Sequence, residues 1–433
     1  MYKNKPTKYI ALFILLLLTI YILLYFYYYR KNEKKFEIAL QDSVVVAEDV
    51  YSGNLGEHWG YFQFPKLYYS SDNLLVCKVA NKPDSFQEYG GQYEFFVSRD
   101  LGETWEETDN VPEDHTLKMQ NGCYFQGPVL QNGFSTEIEK KYEPRYISED
   151  DSVKLYYADD ILEADYKRTF LCEEYNPVTG ENSIFESRLN WPYQPVIIKD
   201  GMTLPPGNGM YHFRMHSDGI ICKKNNGNLL MALYSRGFDA ETGETSYGKH
   251  YNLYFFESSD SARTWNFVSQ ILTKPEHCEE EKDGFCEPNI ICVGEGKYFV
   301  IFRSGSQSPS YAAYSDDDGY TWKSIQRFDK CGVDPQLLQL DCGITLASYG
   351  RPGNYIRATD DVDCLSWCDP IRYDGYGDMD FTKWGRFSCS YTSMVALDKN
   401  TALLAYSDFQ REKAKDDTSI IKSIVVRKID IVL

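Results

Sequence analysis

The sequence has no Asn-x-Ser/Thr acceptor site, no Cys-x-x-Cys knuckle and too few basic residues to balance its acidic ones. Each absence narrows the reading. Without an acceptor site, a heavily glycosylated secretory protein is disfavoured. Without paired cysteine knuckles, no structural zinc is expected. With 45 Lys and Arg against 64 Asp and Glu, the net charge of −19 repels polyanions, so nucleic acid is not an expected partner and a sugar or a protein is.

What is present is aromatic and strand-forming. Phe, Trp and Tyr make up 15% of the 433 residues, a composition suited to flat side chains half-buried on pleated surfaces. Twelve cysteines are spread along the chain (Cys77, Cys123, Cys172, Cys222, Cys278, Cys286, Cys292, Cys331, Cys342, Cys364, Cys368, Cys389). The close spacings of Cys278 with Cys286, Cys331 with Cys342 and Cys364 with Cys368 fit disulfide-stapled loops in an oxidising compartment. Scattered buried thiols are the other reading.

Residues 9–29 carry no charge and consist mostly of Leu, Ile, Phe and Tyr. At about 1.5 Å per residue they span the roughly 30 Å of a bilayer core, and the stretch is too long for a signal-peptide core. The expectation is an uncleaved signal-anchor helix over 9–29, behind a tail of 1–8 and before a linker of 30–57. Lys3, Lys5 and Lys8 on one side nearly balance Arg30, Lys31, Lys34 and Lys35 on the other, so charge leaves the orientation open.

Beyond the linker the chain repeats itself. Ser98-Arg99-Asp100-Leu101-Gly102-Glu103-Thr104-Trp105 recurs as Ser315-Asp316-Asp317-Asp318-Gly319-Tyr320-Thr321-Trp322. A third copy, Ser258 to Trp265, has Ala262 in place of Gly, and a fourth around Thr359 to Trp367 keeps little more than Asp and Trp. In such a turn Asp folds back on backbone N–H groups, Gly takes a positive φ and Trp buries its ring, so these aspartates are structural. Short apolar strands precede each copy, as in Leu229 to Tyr234 and Tyr298 to Arg303. Four short strands per unit cannot bury both faces until neighbours stack in a ring, which predicts an all-β, six-bladed β-propeller over 58–433. The blades fall near 58–110, 120–200, 205–270, 285–327, 333–370 and 388–433. The second lacks an Asp turn and reads as irregular, and the run from Ser419 to Leu433 is expected to close the ring against the first blade.

Over 58–433 the sequence resembles the sialidase family, through its Asp turns and through residues that recur in blade order. Glu287-Pro288-Asn289-Ile290 is followed sixteen positions later by Arg303-Ser304-Gly305; Arg351-Pro352-Gly353-Asn354 stands in the fifth blade; and Tyr391-Thr392-Ser393 opens the sixth. The resemblance implies an exo-glycosidase without metal or organic cofactor, acting on terminal sialic acid or a related acidic sugar of glycoconjugates. Arg303 and Arg351 would hold the substrate carboxylate. Tyr391 would be the nucleophile and Glu287 its base, a neutral attacking group avoiding repulsion by that carboxylate. The general acid would be Asp84 or Glu88.

One position departs from the pattern. Where the family has an Arg in the first blade, this chain reads Phe62-Gln63-Phe64-Pro65. An amide in place of a guanidinium weakens anion binding by roughly 1.5–3 kcal/mol in a dry site. Arg214, in Tyr211-His212-Phe213-Arg214-Met215-His216, is the substitute the sequence offers. Two other readings stay open: a non-catalytic carbohydrate- or protein-binding propeller, and a glycosidase for a neutral sugar or a uronic acid. The expected location is a single-pass membrane protein with an extracytoplasmic propeller.

Overall fold

The structure is a computed structural model. It describes residues 18–21, 36–52, 59–71, 73–81, 93–129, 134–135, 146–150, 153–157, 169–192, 195–199, 202–204, 220–236, 239–242, 244, 250–278, 283–306, 308–374, 388–409 and 419–433. The chain divides into a small unit of 1–39 with 431–433 and a large unit of 40–430. In the small unit, residues 18–21 are helical; the rest of the expected 9–29 anchor lies outside the described residues. Among the described residues no helix is long and apolar enough to cross a membrane.

The large unit is all β, as the aromatic, alternating strands foretell. Sheet A runs Tyr61–Ser71, Leu74–Asn81, Tyr93–Ser98 and Glu106–Thr108 in consecutive antiparallel order. Sheet D repeats this with Cys286–Gly294, Lys297–Arg303, Ser310–Ser315 and Lys323–Asp329, and sheet E with Val333–Gln339, Thr345–Gly350, Asn354–Thr359 and Ile371–Arg372. Sheet F joins Thr392–Ala396, Thr401–Asp408 and Ser419–Val432 to Glu37–Ser52. The first strands are neighbours in series: Cys286–Gly294 packs beside Val333–Gln339, that strand beside Thr392–Ala396, and that one beside Tyr61–Ser71.

Three expectations need correction. Residues 37–52 are a strand of sheet F rather than part of a linker, so the C-terminal strand pairs with this N-terminal segment and not with the first blade. Alternating apolar residues such as Val44 and Val46 give that segment a face to bury in the sheet A–sheet F core. The expected second and third blades share one seven-stranded sheet, B, because Glu181–Asn190 pairs in parallel with Thr264–Ile271 (Arg188 opposite Thr264). The irregular stretch of the second blade carries a separate five-stranded sheet, C, whose strands lie between Phe134 and Leu204. Finally, of the two readings of the cysteines, the structure bears out scattered thiols, none of the twelve being in a disulfide. The close pairs serve separate packing roles: Cys364 sits in a core cluster while the Cys368 sulfur accepts the Ala358 N–H, and Cys278 is buried against the Ser304 carbonyl.

The Asp turns form as their sequence demands, and they do more than end a hairpin. In the first, Ser98 Oγ receives Gly102 N at 2.9 Å and Asp100 Oδ1 receives Thr104 N at 2.9 Å. The turn at Ser315 repeats both contacts at 3.0 and 2.9 Å. The degenerate copies keep the shape: Ala262 at φ 65° and Cys364 at φ 55° occupy the left-handed position that Gly holds elsewhere. Each turn also leans on the preceding sheet segment. Trp322 of sheet D stacks on Phe255 of sheet B at 4.2 Å, Trp367 of sheet E packs on Phe299 of sheet D at 5.7 Å, and Ala262 accepts the Ser187 hydroxyl at 2.6 Å. A Cβ on Gly102 would lie 2.9 Å from Leu403 of sheet F, so the first turn closes the series against the last sheet.

The Asp100 carboxyl is pulled down to about 2, chiefly by its hydrogen bonds from Thr104. A carboxyl lowered on folding contributes stability above its unfolded value near 4, and that contribution is lost as pH falls toward 2. Thermal scans between pH 5 and pH 2 should therefore show a drop in Tm that is shallower in Asp100→Asn. An identical pH profile for the two proteins would contradict this role.

Candidate functional site

Four sheets present a distorted strand end to one place. Glu287, the second residue of Cys286–Gly294, has φ 47°; Asp334, in the same place of Val333–Gln339, has φ 38°; Arg351, just after Thr345–Gly350, has φ 77°. Ser390, ahead of Tyr391, has φ 62°, and Phe62 and Phe64 flank Gln63 at 52° and 53°. Left-handed non-glycine residues cost about 1–3 kcal/mol each and gather where a structure must aim side chains. Register shifts accompany them at Cys286/Asn289, Val333/Gln336 and Tyr61/Gln63/Lys66, the bulges that turn a strand-end residue off its regular face.

The carboxylate of Glu287 is the meeting point. Tyr391 Oη donates to Glu287 Oε1 at 2.6 Å, and Arg303 Nη1 donates to the same oxygen at 2.6 Å. Glu287 Oε2 accepts the Asp334 backbone N–H at 2.9 Å. The pairing of Cys286 with Arg303 across adjacent strands brings the Glu287 carboxylate and the Arg303 guanidinium together, which is why sixteen residues separate them in sequence. Arg303 Nη2 reaches Asp283 at 2.9 Å and Ser306 Oγ at 2.7 Å. Burial disfavours the Arg303 charge, but Glu287, Cys286, Tyr391 and Asp283 together outweigh it and hold the guanidinium well above its ordinary value.

Arg351 stands beside this group. Its Nη2 donates to the Cys389 carbonyl at 2.8 Å, and its guanidinium carbon lies 5.7 Å from the Tyr391 ring centre. Burial, reinforced by Arg303, pulls its guanidinium below the ordinary value against the opposing pull of Tyr391 and Glu287. It remains a cation at neutral pH. The turn that carries it is tight: a Cβ on Gly350 would meet the Gly353 carbonyl at 2.2 Å and the Ser390 side chain at 2.7 Å, so only glycine fits.

Of the residues expected from the sequence, the fold brings Tyr391, Glu287, Arg303 and Arg351 together. Gln63 is fully buried at the same end of sheet A, its Oε1 accepting the Gly60 N–H at 2.8 Å. Asp84, Glu88, Arg214, His212 and His216 lie outside the described residues. Four further groups were not anticipated: the Asp334 N–H, Asp283, Phe64 and Trp59. Phe64 packs on Tyr391 with ring centres 4.9 Å apart, and Trp59 lies 5.7 Å from the Arg351 guanidinium. The Asp334 contact had a readable signal, because Asp334-Pro335-Gln336 repeats Glu287-Pro288-Asn289 at the start of the next sheet. The two copies touch: Asn289 Nδ2 donates to Gln336 Oε1 at 3.2 Å. Among the described residues no cluster of His, Cys, Asp and Glu could hold a metal ion.

No protein-family model matches the sequence, and no curated protein matches it. Among solved structures, the chain is similar to the NanB sialidase from Streptococcus pneumoniae at 14% identity and TM-score 0.44, over 91% of this chain and 71% of that one. It is similar to the GH93 α-L-arabinofuranosidase of Fusarium graminearum at 12% identity and TM-score 0.44, over 89% and 97%. A Dyadobacter fermentans protein of unknown function shows 18% identity and TM-score 0.44, over 88% and 98%.

Removing the Glu287 carboxylate strips Arg303 of its most buried partner and leaves the Asp334 N–H without its acceptor. With side chains 7% and 12% exposed, the Glu287–Arg303 pair is largely withdrawn from solvent. Glu287→Ala is expected to lower stability by about 2 kcal/mol, because Arg303 keeps Asp283 and Ser306 while the Tyr391 hydroxyl and the Asp334 N–H lose this acceptor. Chemical denaturation measures it; a loss under about 1 kcal/mol would mean the pair is solvated, as surface pairs are.

Proposed function

We propose that the chain is a retaining glycoside hydrolase of sialidase type, built on a six-bladed β-propeller and releasing a terminal sialic acid or related acidic sugar from glycoconjugates. The observation that carries this reading is the Tyr391 hydroxyl, 2.6 Å from the Glu287 carboxylate, with two guanidinia beside it. A phenol becomes a competent nucleophile when a neighbouring carboxylate takes its proton as the new bond forms. Glu287 is in place to do so. Arg303 and Arg351 would bind the carboxylate on the anomeric carbon, fixing the sugar so that Tyr391 faces that carbon. Attack gives a glycosyl-tyrosine with inverted configuration, and water then releases the sugar with net retention. The acid that protonates the leaving oxygen is assigned to Asp84 or Glu88 on the sequence resemblance, and Arg214 is retained as a further anion-binding residue on the same ground.

The reading extends to location. A helix over 9–29 would anchor the chain in a membrane by a single pass, with the propeller on the extracytoplasmic side and glycoconjugates as its substrates. The charge-free apolar run of that segment supports this. A second reading, a glycan-binding propeller without hydrolysis, is favoured by Gln63, which offers no charge to an anion.

The test is release of the aryl alcohol from an aryl sialoside by the full-length chain. Turnover is expected, with Tyr391→Phe and Glu287→Gln each lowering kcat by about 100-fold or more, and with NMR of the first-formed sugar showing retention. No turnover by the unmodified chain, alongside binding on a glycan array, would replace this reading with the second.

A further inference from the structure

Gln63 is 0% exposed, and its carbonyl oxygen is tied back to the backbone N–H of Gly60 at 2.8 Å. Gly60 takes φ 98°, a left-handed turn that lets the chain fold directly onto the amide three residues later. That turn fixes its neighbour, Trp59, which is half-buried with its ring centre 5.7 Å from the Arg351 guanidinium carbon. The Tyr391 ring stands 5.7 Å from the same carbon, and Phe64 packs on Tyr391 at 4.9 Å. So the segment that lacks a guanidinium supplies an aromatic group to a neighbouring one.

We propose that Trp59 is a positioning residue of the site: held by the Gly60–Gln63 turn, its ring fixes Arg351 so that a two-guanidinium clamp binds an acidic sugar. The inference rests on the carbohydrate-binding reading of the site and adds a residue to it. A long cationic side chain loses much rotamer freedom when it grips an anion, and one already immobilised loses less. Aromatic rings at cation–π distance immobilise a guanidinium without neutralising it, leaving its N–H groups to the ligand. An acidic partner in Trp59's place would hold Arg351 equally still but would compete with the substrate carboxylate. The site already contains such competition at Arg303, whose fork is engaged by both Glu287 and Asp283. Arg351 donates to the neutral Cys389 carbonyl and has the rings of Tyr391 and Trp59 beside it, each 5.7 Å from its guanidinium carbon.

Calorimetric titration of the full-length chain with free sialic acid tests this independently of turnover. Trp59→Ala is expected to weaken binding about ten-fold, while Trp59→Phe, which keeps a ring, stays within about three-fold. If the unmodified chain is active, Trp59→Ala should raise KM by a similar factor and leave kcat within about three-fold. Trp59→Ala binding as tightly as the unmodified chain, while Arg351→Ala abolishes binding, would overturn the role of Trp59 and leave the site intact. Equal weakening by Trp59→Ala and Trp59→Phe would also overturn it, since the ring would not be what matters. No binding by the unmodified chain would overturn the reading of the site and this inference with it.

Discussion

One carboxylate ties the site to the fold. Glu287 receives a phenol from sheet F, a guanidinium from its own sheet D and a backbone N–H from sheet E, at 2.6, 2.6 and 2.9 Å. A carboxylate that is 7% exposed would be far too costly without such partners, so three elements must arrive in register for this end of the molecule to form at all. The left-handed backbone at Glu287, Asp334 and Ser390 belongs to that requirement. Regular strands would send these side chains along the sheet, whereas the bulged starts turn them toward a common point. The hydrogen bond that would move a proton is therefore also the one that joins neighbouring sheets.

Holding such strain requires a stiff surround, and the Asp turns provide part of it. Each places an aromatic ring, a small residue or a carbonyl against the sheet segment before it, and the first turn meets the last sheet through Gly102 and Leu403. The Ser269 hydroxyl of sheet B shows how closely these junctions are drawn: it donates to the Gly319 carbonyl at 2.5 Å and accepts from Trp322 Nε1 at 3.1 Å, so it serves both ends of one turn. Sheet F carries an exposed cross-strand contact of its own, Gln41 Nε2 donating to Asp430 Oδ2 at 2.5 Å. Sheet D is thus held to sheet B, sheet E to sheet D and sheet A to sheet F at their peripheries.

Local signals were legible in the sequence and long-range ones were not. The Asp turns declared themselves because every contact that makes them lies within eight residues. Glu287, Arg303, Arg351 and Tyr391 were legible through the resemblance to sialidases, because they follow that family's site residues in order, and the pairing of Cys286 with Arg303 gives the first two their spacing. The pairing of residues 37–52 with the C-terminal strand left no trace, since two segments nearly four hundred residues apart share no period. The parallel join of Arg188 to Thr264 was equally silent: each strand pattern fits an ordinary edge. Asp334 escaped because its backbone, not its side chain, does the bonding. Trp59 escaped because its place depends on a turn closed by the Gly60 N–H on the Gln63 amide, and Gln63 was read only as a missing charge, not as the anchor of a turn.

The charge at the site explains why an aromatic residue matters there. Arg303 and Arg351 bring two positive charges, while Glu287 and Asp283 bring two negative ones, so the described groups nearly cancel before any ligand arrives. A neutral site attracts an anion through geometry more than through field, because screening and opposite neighbours shrink the long-range term. Affinity must then come from short, well-aligned contacts, and alignment is what immobilising Arg351 supplies. Placing a guanidinium at Gln63 would add field, but it would also remove the amide that receives the Gly60 N–H and release the turn carrying Trp59. A charge gained at position 63 thus trades against the order of the charge already present at Arg351.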